Sequence, residues 1–182
     1  MHSFWILIFY LTKLQQTEKI MENSDINREN SYINFKIGKE YFAISVYKVL
    51  EIIQFEQITQ IPNSSDFIRG VINFRGTIVP VIDMHKRFNI EKPEDENSMV
   101  VVVDMQNKEY NVTMGLLVDQ VVNVIEFNYK SIRSVPDLGI RYNPEFLEGF
   151  VEMDDHFIMI MNVDRVLSVS ELSAVDEEVR IA

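Results

Sequence analysis

Short apolar runs separated by turn residues fill the chain from residue 32 onward. In the first run Ile33, Phe35 and Ile37 alternate with more polar neighbours, which is the period of two expected for a half-buried β-strand. Residues 38–40 predict a turn, and Ser45 is placed to cap one helical turn. Further strand-like runs lie at residues 41–44, 50–55, 71–74, 77–82, 99–104, 110–117, 121–125, 149–153 and 157–161. Many short strands with regular turn signals predict an all-β sandwich or barrel.

Two segments depart from the strand pattern. Residues 89–98 are polar and acidic, and we expect them to link two lobes, one of residues 31–90 and one of residues 97–168. After Asn162 the apolar spacing becomes that of a helix, and residues 169–182 predict a C-terminal helix or tail.

The two halves of the chain resemble each other. Residues 66–88 align with residues 145–167 without a gap, and upstream residues 43–53 align with residues 115–125. Two similar halves predict two similar β lobes packed together, each too small to be stable alone. The matched positions are mostly apolar, so they indicate fold rather than function.

Charge and composition narrow the classes of ligand. The chain has 28 Asp and Glu against 17 Lys and Arg, a formal net charge of -11, which disfavours nucleic acid and anionic lipid as main ligands and favours partners with basic patches. The absence of cysteine excludes disulfides and thiolate sites, and fits a reducing cytoplasm. His2, His85 and His156 lack the spacing of metal ligands, so we expect no metal and no other cofactor.

The first 30 residues differ from the rest. Residues 4–11 form an apolar run, but a bilayer span needs about 20 residues, and no signal-peptide pattern accompanies the run. A short peripheral anchor is the alternative. The polar stretch after Met21 favours a translation start there. We therefore expect residues 1–30 to be a disordered or partly untranslated leader, without direct membrane insertion.

The sequence contains no recognisable catalytic motif. No glycine is followed two positions later by serine, as a nucleophile elbow requires, and residues 70–77 lack the lysine of a phosphate loop. A hydrolase hypothesis would use Asp154, Asp155 and His156, although aspartates between two strands usually form a turn. A small-molecule-binding β barrel is a second alternative, and it would need a cavity. We predict a binding protein rather than an enzyme.

The most informative stretch is residues 61–83, IPNSSDFIRGVINFRGTIVPVID. Gly70 allows a tight entry of the chain into one strand, and Arg75 with Gly76 predicts a hairpin turn into the next. An arginine beside a turn glycine lies on a rigid exposed tip, which suits docking.

This stretch resembles the CheW family, the adaptor proteins of bacterial chemotaxis, whose pattern is Gly-Val-Ile-Asn-Leu-Arg-Gly followed by Val-Pro-Val-(Ile/Val)-Asp. The chain has the first part at residues 70–76, with Phe74 in place of the usual leucine, and the second at residues 79–83. Residues 49–52 resemble the family's Val-x-Glu-Ile strand. The resemblance covers about residues 32–168.

The resemblance implies an all-β fold of two packed five-stranded SH3-like β barrels, with short helical turns and a C-terminal helix. It implies an adaptor that couples the cytoplasmic tips of chemoreceptors to the regulatory domain of the histidine kinase CheA. The related CheV proteins add a receiver domain, and CheA adds phosphotransfer and ATP-binding domains, which 182 residues do not accommodate. We therefore expect a stand-alone cytoplasmic adaptor recruited to receptor arrays at the membrane.

Glu51 and Arg75 match the acidic and basic residues that the family keeps near its receptor- and kinase-binding surfaces. The alternative is an ordinary surface ion pair, worth about 0–1 kcal/mol. In the internal alignment Glu51 falls on Asn123 and Arg75 on Asp154, so the second half lacks the pair. An ion pair required by the fold would recur in both halves, so this difference favours a role in interaction.

The predicted surface also includes apolar residues and residues that fix the conformation of the backbone. Val46 and Val49, together with Ile44, are expected to contact a helical receptor tip laid in a groove, with core packing as the alternative. The glycines and the asparagine of the motif are expected to fix the backbone that presents Arg75. The predicted partner-binding set is Val46, Val49, Glu51, Gly70, Asn73, Arg75 and Gly76.

Overall fold

The computed structural model describes residues 30–54, 58–62, 64–92, 98–106, 111–134, 143–153, 156–168 and 170–171. Its strands are β1 (Ser31–Ile37), β2 (Glu40–Ser45), β3 (Val49–Gln54), β4 (Ile68–Phe74), β5 (Thr77–Asp83), β6 (Met99–Gln106), β7 (Asn111–Val118), β8 (Gln120–Glu126), β9 (Leu147–Met153) and β10 (His156–Met161). A short helix, α1 (Met84–Phe88), follows β5, and single 3-10 turns lie at Val46–Lys48, Tyr129–Ser131, Pro144–Phe146 and Val163–Arg165. Each predicted strand run overlaps one of these strands, so the all-β prediction is confirmed.

The strands form two five-stranded sheets. The first sheet has the order β8-β1-β2-β10-β9, and the second sheet has the order β3-β6-β7-β5-β4. Neighbouring strands are antiparallel except for β10 with β2 and β5 with β7, which are parallel. The second sheet is therefore continuous in sequence from β3 to β7, and the chain crosses between the sheets after β2 and again after β7.

This arrangement corrects the predicted division of the chain into lobes. A lobe of residues 31–90 and another of residues 97–168 would each hold five consecutive strands. Instead, β3 pairs with β6, and β10 pairs with β2, so each sheet takes strands from both halves. The strands before and after the acidic stretch of residues 89–98, β5 and β6, both belong to the second sheet, so this stretch does not lead from one sheet to the other.

The internal repeat is nevertheless present in the strand pairing. If each of β1–β5 is exchanged for the strand five places later, and each of β6–β10 for the strand five places earlier, the strand order of the first sheet becomes that of the second. Thr59 forms an isolated bridge with Val71, and Arg133 forms one with Phe150, which aligns with Val71. Each bridge joins the segment that follows one edge strand to the opposite edge strand, so each sheet curls towards a barrel. The prediction of two packed five-stranded barrels is confirmed.

Apolar side chains pack on both faces of each sheet. A central cluster draws on both sheets and contains Phe35, Phe42 and Phe88. Because side chains alternate along a strand, the opposite face of each sheet carries a smaller cluster of its own. These clusters consist of Tyr32, Ala43, Ile125, Val151, Ile158 and Ile160 in the first sheet, and Ile72, Val79, Val81, Val100, Val102 and Leu117 in the second.

Strand β1 shows the effect of this double packing. The apolar side chains of its alternating pattern are at most 1% exposed, as predicted. Tyr32 and Asn34, on the other face, are also buried, and the Tyr32 ring stacks on Phe127 with 4.2 Å between centroids. The prediction of a half-buried strand is wrong because β1 lies between β2 and β8 and both of its faces are covered.

Helical segments are short in the described chain. Hydrophobic periodicity does not predict α1, which begins because the Asp83 carboxylate accepts hydrogen bonds from the backbone N–H groups of His85 and Lys86. The predicted turn after Ser45 is confirmed, and the Ser45 hydroxyl accepts from the N–H of Tyr47. The predicted leader up to residue 29 and the predicted C-terminal helix beyond residue 171 lie outside the described residues.

Candidate functional site

Arg75 and Gly76 form the tip of the β4–β5 hairpin, as predicted. Their φ angles are 52° and 86°, and positive φ at both central residues is the arrangement of a type I′ turn, which matches the twist of antiparallel strands. The Asn73 side-chain oxygen accepts a hydrogen bond from the Gly76 N–H at 2.9 Å. Asn73 and Gly76 therefore fix the backbone that presents Arg75.

Glu51 lies on β3, across from this tip, and pairs with it. One terminal guanidinium nitrogen of Arg75 donates to the Glu51 carboxylate at 2.7 Å. The Arg75 side chain is 73% exposed and that of Glu51 is 38% exposed, so the pair lies in solvent and stabilises the fold little. Its position at the surface is compatible with contact to another molecule.

Phe74 supports Arg75 from the side. The Arg75 guanidinium carbon lies 5.0 Å from the centroid of the Phe74 ring, within the range of a cation–π contact. The family pattern usually has leucine at this position, which offers no ring face. The exchange of leucine for phenylalanine therefore adds a ring contact to Arg75, which the sequence pattern does not predict.

Gly70 acts on the backbone behind the hairpin. Its φ is 144°, and a Cβ atom added there would lie 2.2 Å from the carbonyl oxygen of Thr59. Gly149, at the aligned position of the second half, has the same relation to the carbonyl of Arg133. Gly70 is therefore required for the bridge between Thr59 and β4, and it supports the site from within.

The apolar residues of the predicted surface are less accessible than expected. Ile44 is completely buried and Val49 is 7% exposed, and both belong to the central cluster. Val46 is half-buried and packs against the same cluster. The predicted receptor contact through Ile44 and Val49 is therefore corrected to core packing. A register shift between Val49 and Glu51 breaks the alternation that would have given them the same face.

Two large exposed side chains that the sequence pattern does not single out lie shortly before Glu51 in the chain. Tyr47 is 59% exposed in the turn after β2, and Leu50 is 40% exposed on β3. Exposed large apolar side chains next to a charged pair are a common feature of interfaces. We define the adaptor face as Tyr47, Leu50, Glu51, Phe74 and Arg75.

The second half does not repeat the charged pair. Asn123, which aligns with Glu51, accepts a hydrogen bond at its side-chain oxygen from the Asn34 amide at 3.0 Å. Asp154, which aligns with Arg75, lies outside the described residues. Arg133 and Glu152 form a looser contact in the second half, with 3.9 Å between charged atoms and both side chains exposed.

The residues of the hydrolase hypothesis can be placed only in part. Asp154 and Asp155 lie outside the described residues, whereas His156 is exposed and stacks on Tyr41 with 4.8 Å between ring centroids. Within the described ranges, no three or more His, Cys, Asp or Glu side chains are grouped to hold a metal ion. None of the described helices is long and apolar enough to cross a membrane.

Comparison with known proteins agrees with the motif. The CheW-like domain family matches residues 31–171. The chemotaxis protein CheW of Klebsiella aerogenes is 32% identical over 146 residues, which cover 80% of this chain and 86% of that protein. CheW of Bacillus subtilis is 29% identical over 159 residues, which cover 85% of this chain and 98% of that protein.

A solved structure is similar across both barrels. The crystal structure of the scaffolding protein TtCheW from Thermoanaerobacter tengcongensis superposes with a TM-score of 0.70 at 31% sequence identity. The match covers 78% of this chain and 90% of that one. With the family match over residues 31–171, the two curved sheets and the Arg75 hairpin, these similarities show that the chain belongs to the CheW family.

Proposed function

We propose that the protein is a non-enzymatic adaptor that couples chemoreceptors to the histidine kinase CheA in chemotaxis signal transduction. Membership of the CheW family and the likeness to a scaffolding protein support this class of function. The partners are the cytoplasmic tips of the receptors and the regulatory domain of the kinase. The protein works in the cytoplasm, at receptor arrays, without a cofactor.

The single observation that carries the proposal is the presentation of Arg75. Its backbone is fixed by a tight turn, and its guanidinium contacts both Glu51 and Phe74 while staying 73% exposed. A charged group held in one orientation loses little conformational entropy on binding. Arginine can also bind a carboxylate through two parallel hydrogen bonds, which adds geometric specificity. Arg75 therefore suits an acidic residue of a protein partner.

The rest of the adaptor face supplies apolar area. Tyr47 is 59% exposed, and Leu50, which precedes Glu51 on β3, is 40% exposed, so they offer a tyrosine ring and a leucine side chain to a partner. An amphipathic helix recognises such a surface through side chains spaced three and four residues apart. The tip of a receptor, which is helical in this family, has the right chemistry for that contact.

The packed sheets disfavour the alternative of a small-molecule-binding barrel. Each sheet carries its own buried apolar cluster on the face opposite the central core. In the described residues these positions are occupied mostly by Ile, Val and Leu side chains, where a ligand-binding barrel would need a cavity with a few polar groups.

Binding assays with a matched control test the proposal. We would measure the affinity of the full chain for the kinase regulatory domain and for a receptor signalling fragment, with wild type, Arg75→Glu and Arg133→Glu. Arg133 is the control because it is also exposed, at 69%, and also lies near a glutamate. We expect Arg75→Glu to weaken binding to at least one partner by about 2–5 kcal/mol, as reversal of an interface charge does.

Arg133→Glu should leave both affinities within about threefold of wild type, since rim or remote charges contribute little. Thermal melts of all three proteins check that folding is retained. Failure of the wild-type protein to bind either partner would refute the adaptor function. Equal effects of the two substitutions would refute the assignment of the site to the adaptor face.

A further inference from the structure

A buried histidine lies between two carboxylates at a crossing between the sheets. His85, on α1, is 4% exposed, and its Nε2 atom lies 3.0 Å from the Oδ2 atom of Asp119. Asp119 is the single residue between β7 and β8, where the chain returns from the second sheet to the first. The same oxygen of Asp119 accepts a hydrogen bond from the Gly38 N–H in the β1–β2 turn. His85 thus connects the helix after β5 to two segments of the first sheet.

The geometry fits a charged imidazole. The second ring nitrogen of His85, Nδ1, lies 3.7 Å from the carboxylate oxygen Oδ1 of Asp83. A neutral imidazole has only one N–H group, so one of its ring nitrogens would direct a lone pair at a carboxylate. In a buried site this repulsion is poorly screened. The protonated ring carries an N–H on both nitrogens: Nε2 donates to Asp119, and Nδ1 brings positive charge towards Asp83, which at 3.7 Å is beyond hydrogen-bond distance.

The neighbouring positively charged residues do not take the place of His85 between the carboxylates of Asp83 and Asp119. Lys92 lies near enough to act on Asp83, but it is an exposed residue. Arg87, on the same helix, is held by Glu171 through two hydrogen bonds of 2.8 and 3.0 Å. The Lys86 N–H already donates to the Asp83 carboxylate.

We infer that protonated His85 is a pH-sensitive clasp, which ties α1 to the β7–β8 crossing and, through Asp119, to the β1–β2 turn. Loss of the proton weakens the tie between α1 and Asp119. The clasp lies at the far end of β5 from the Arg75 hairpin, so it is separate from the adaptor face and independent of the proposed function.

The expected pH dependence follows from the charge. Burial alone lowers the pKa of His85, but the hydrogen bond with Asp119 and the negative charges of Asp119 and Asp83 outweigh it and raise the pKa to about 9, against 6.5 for an ordinary histidine. The stabilisation is complete below about pH 6.5 and is lost as the pH rises through about 9. Between these values unfolding releases one proton, so the unfolding equilibrium constant should rise about tenfold per pH unit.

The other crossing between the sheets provides a matched control. Lys48, in the turn between β2 and β3, pairs with Asp164 at 2.8 Å. Asp164 aligns with His85 in the internal repeat, so an acidic residue here occupies the position that the histidine holds at the first crossing. The pair contains no histidine, so Lys48→Met removes an ion pair at this crossing while leaving His85 and both of its carboxylates in place.

Two measurements on the full chain test the clasp. An NMR titration of the His85 ring in the wild type should give a midpoint close to pH 9. In urea unfolding of the wild type, the unfolding equilibrium constant should rise about tenfold per pH unit between about pH 6.5 and 8.5. This rise should be absent in His85→Gln and unchanged in Lys48→Met. If His85→Gln does not fold, the titration of the wild type decides alone. A His85 midpoint at or below about 6.5, or the same slope in wild type and His85→Gln, would overturn the inference.

Discussion

Two glycines support the Arg75 hairpin for different physical reasons. Gly70 has a φ of 144° and no space for a side chain, because the Thr59 carbonyl would lie 2.2 Å from a Cβ atom. Gly76 has a φ of 86° but no atom within 4 Å of a Cβ position. Position 70 therefore combines strain with a clash, whereas position 76 carries strain alone.

We predict that Gly70→Ala destabilises the fold more than Gly76→Ala. The clash with backbone at position 70 should cost more than about 3 kcal/mol, and the strain at position 76 about 1–2 kcal/mol. Urea unfolding of the two variants measures the difference. Equal losses would mean that the Thr59 segment moves aside and that the bridge to β4 is not required.

Glu51 and Arg75 also make a residue-scale prediction for stability. Because both side chains are exposed, we expect Arg75→Glu and Glu51→Arg each to change the free energy of unfolding by less than about 1 kcal/mol. If the two residues interact in the free protein, the double reversal should recover part of that small loss, which a double-mutant cycle measures. A loss above about 3 kcal/mol in either single variant would show that the pair is structural.

At the scale of elements, the hairpins were predictable and the faces of the strands were not. The Arg75-Gly76 tip follows from turn chemistry, and the apolar alternation of β1 gives its core side correctly. Val49 is expected to contact a partner together with Val46, and in a regular strand it would share a face with Glu51. The register shift between them removes that relation, and no sequence signal marks it.

The C-terminal segment is fastened to α1 by one arginine. Arg87 donates to both carboxylate oxygens of Glu171 and to the carbonyl oxygen of Val166 at 2.7 Å. Its guanidinium also lies over the rings of Phe67 and Phe146, which are aligned positions of the two halves. The Glu171 carboxylate in turn accepts from the N–H and hydroxyl of Ser168, as in a capping box. The Glu171 carboxylate therefore takes part in both the ion pair with Arg87 and the cap with Ser168.

Replacement of this carboxylate tests its contribution. We predict that Glu171→Gln destabilises the fold by about 1–3 kcal/mol, since it removes charge-assisted hydrogen bonds to a mostly buried arginine. Burial raises the pKa of Glu171, but bonds from Ser168 and the charge of Arg87 outweigh this and lower it. The stabilisation is thus present above about pH 4.5 and is lost as the pH falls through the lowered pKa.

Acid unfolding of wild type and Glu171→Gln provides the check. The wild type should lose its advantage over the variant as the pH falls below about 4.5. A difference in stability that stays constant from neutral to acidic pH would contradict this account of Glu171.

For the whole molecule, the exchange of strands between the halves is the dominant feature. The internal repeat is visible in sequence because aligned core positions carry similar apolar residues. The sheet to which each strand belongs is not visible, since an apolar strand fits either sheet equally well. The parallel pairings of β10 with β2 and of β5 with β7 decide it, and parallel partners far apart in sequence leave no local signal.

Strand exchange predicts that neither half folds alone. A fragment that ends at residue 92 contains β1 to β5 but lacks β6 and β7 of the second sheet and β8 to β10 of the first. We expect each fragment, cut between residues 92 and 98, to give poorly dispersed NMR spectra, and the mixture of both to recover the native spectrum. A well-dispersed spectrum from either fragment alone would show that the halves are independent units.

Receptor control of kinase activity is the measurement that tests the central claim most directly. Chemoreceptors in membranes, the kinase CheA and the full chain would be combined, and ATP-dependent autophosphorylation of the kinase followed with and without a receptor ligand. If the protein is an adaptor, kinase activity should respond to the receptor ligand only when the chain is present. Arg75→Glu should abolish most of this response, and Arg133→Glu should retain it. Receptor control that is equal with and without the chain, or a protein that binds both partners but never confers such control, would contradict the account.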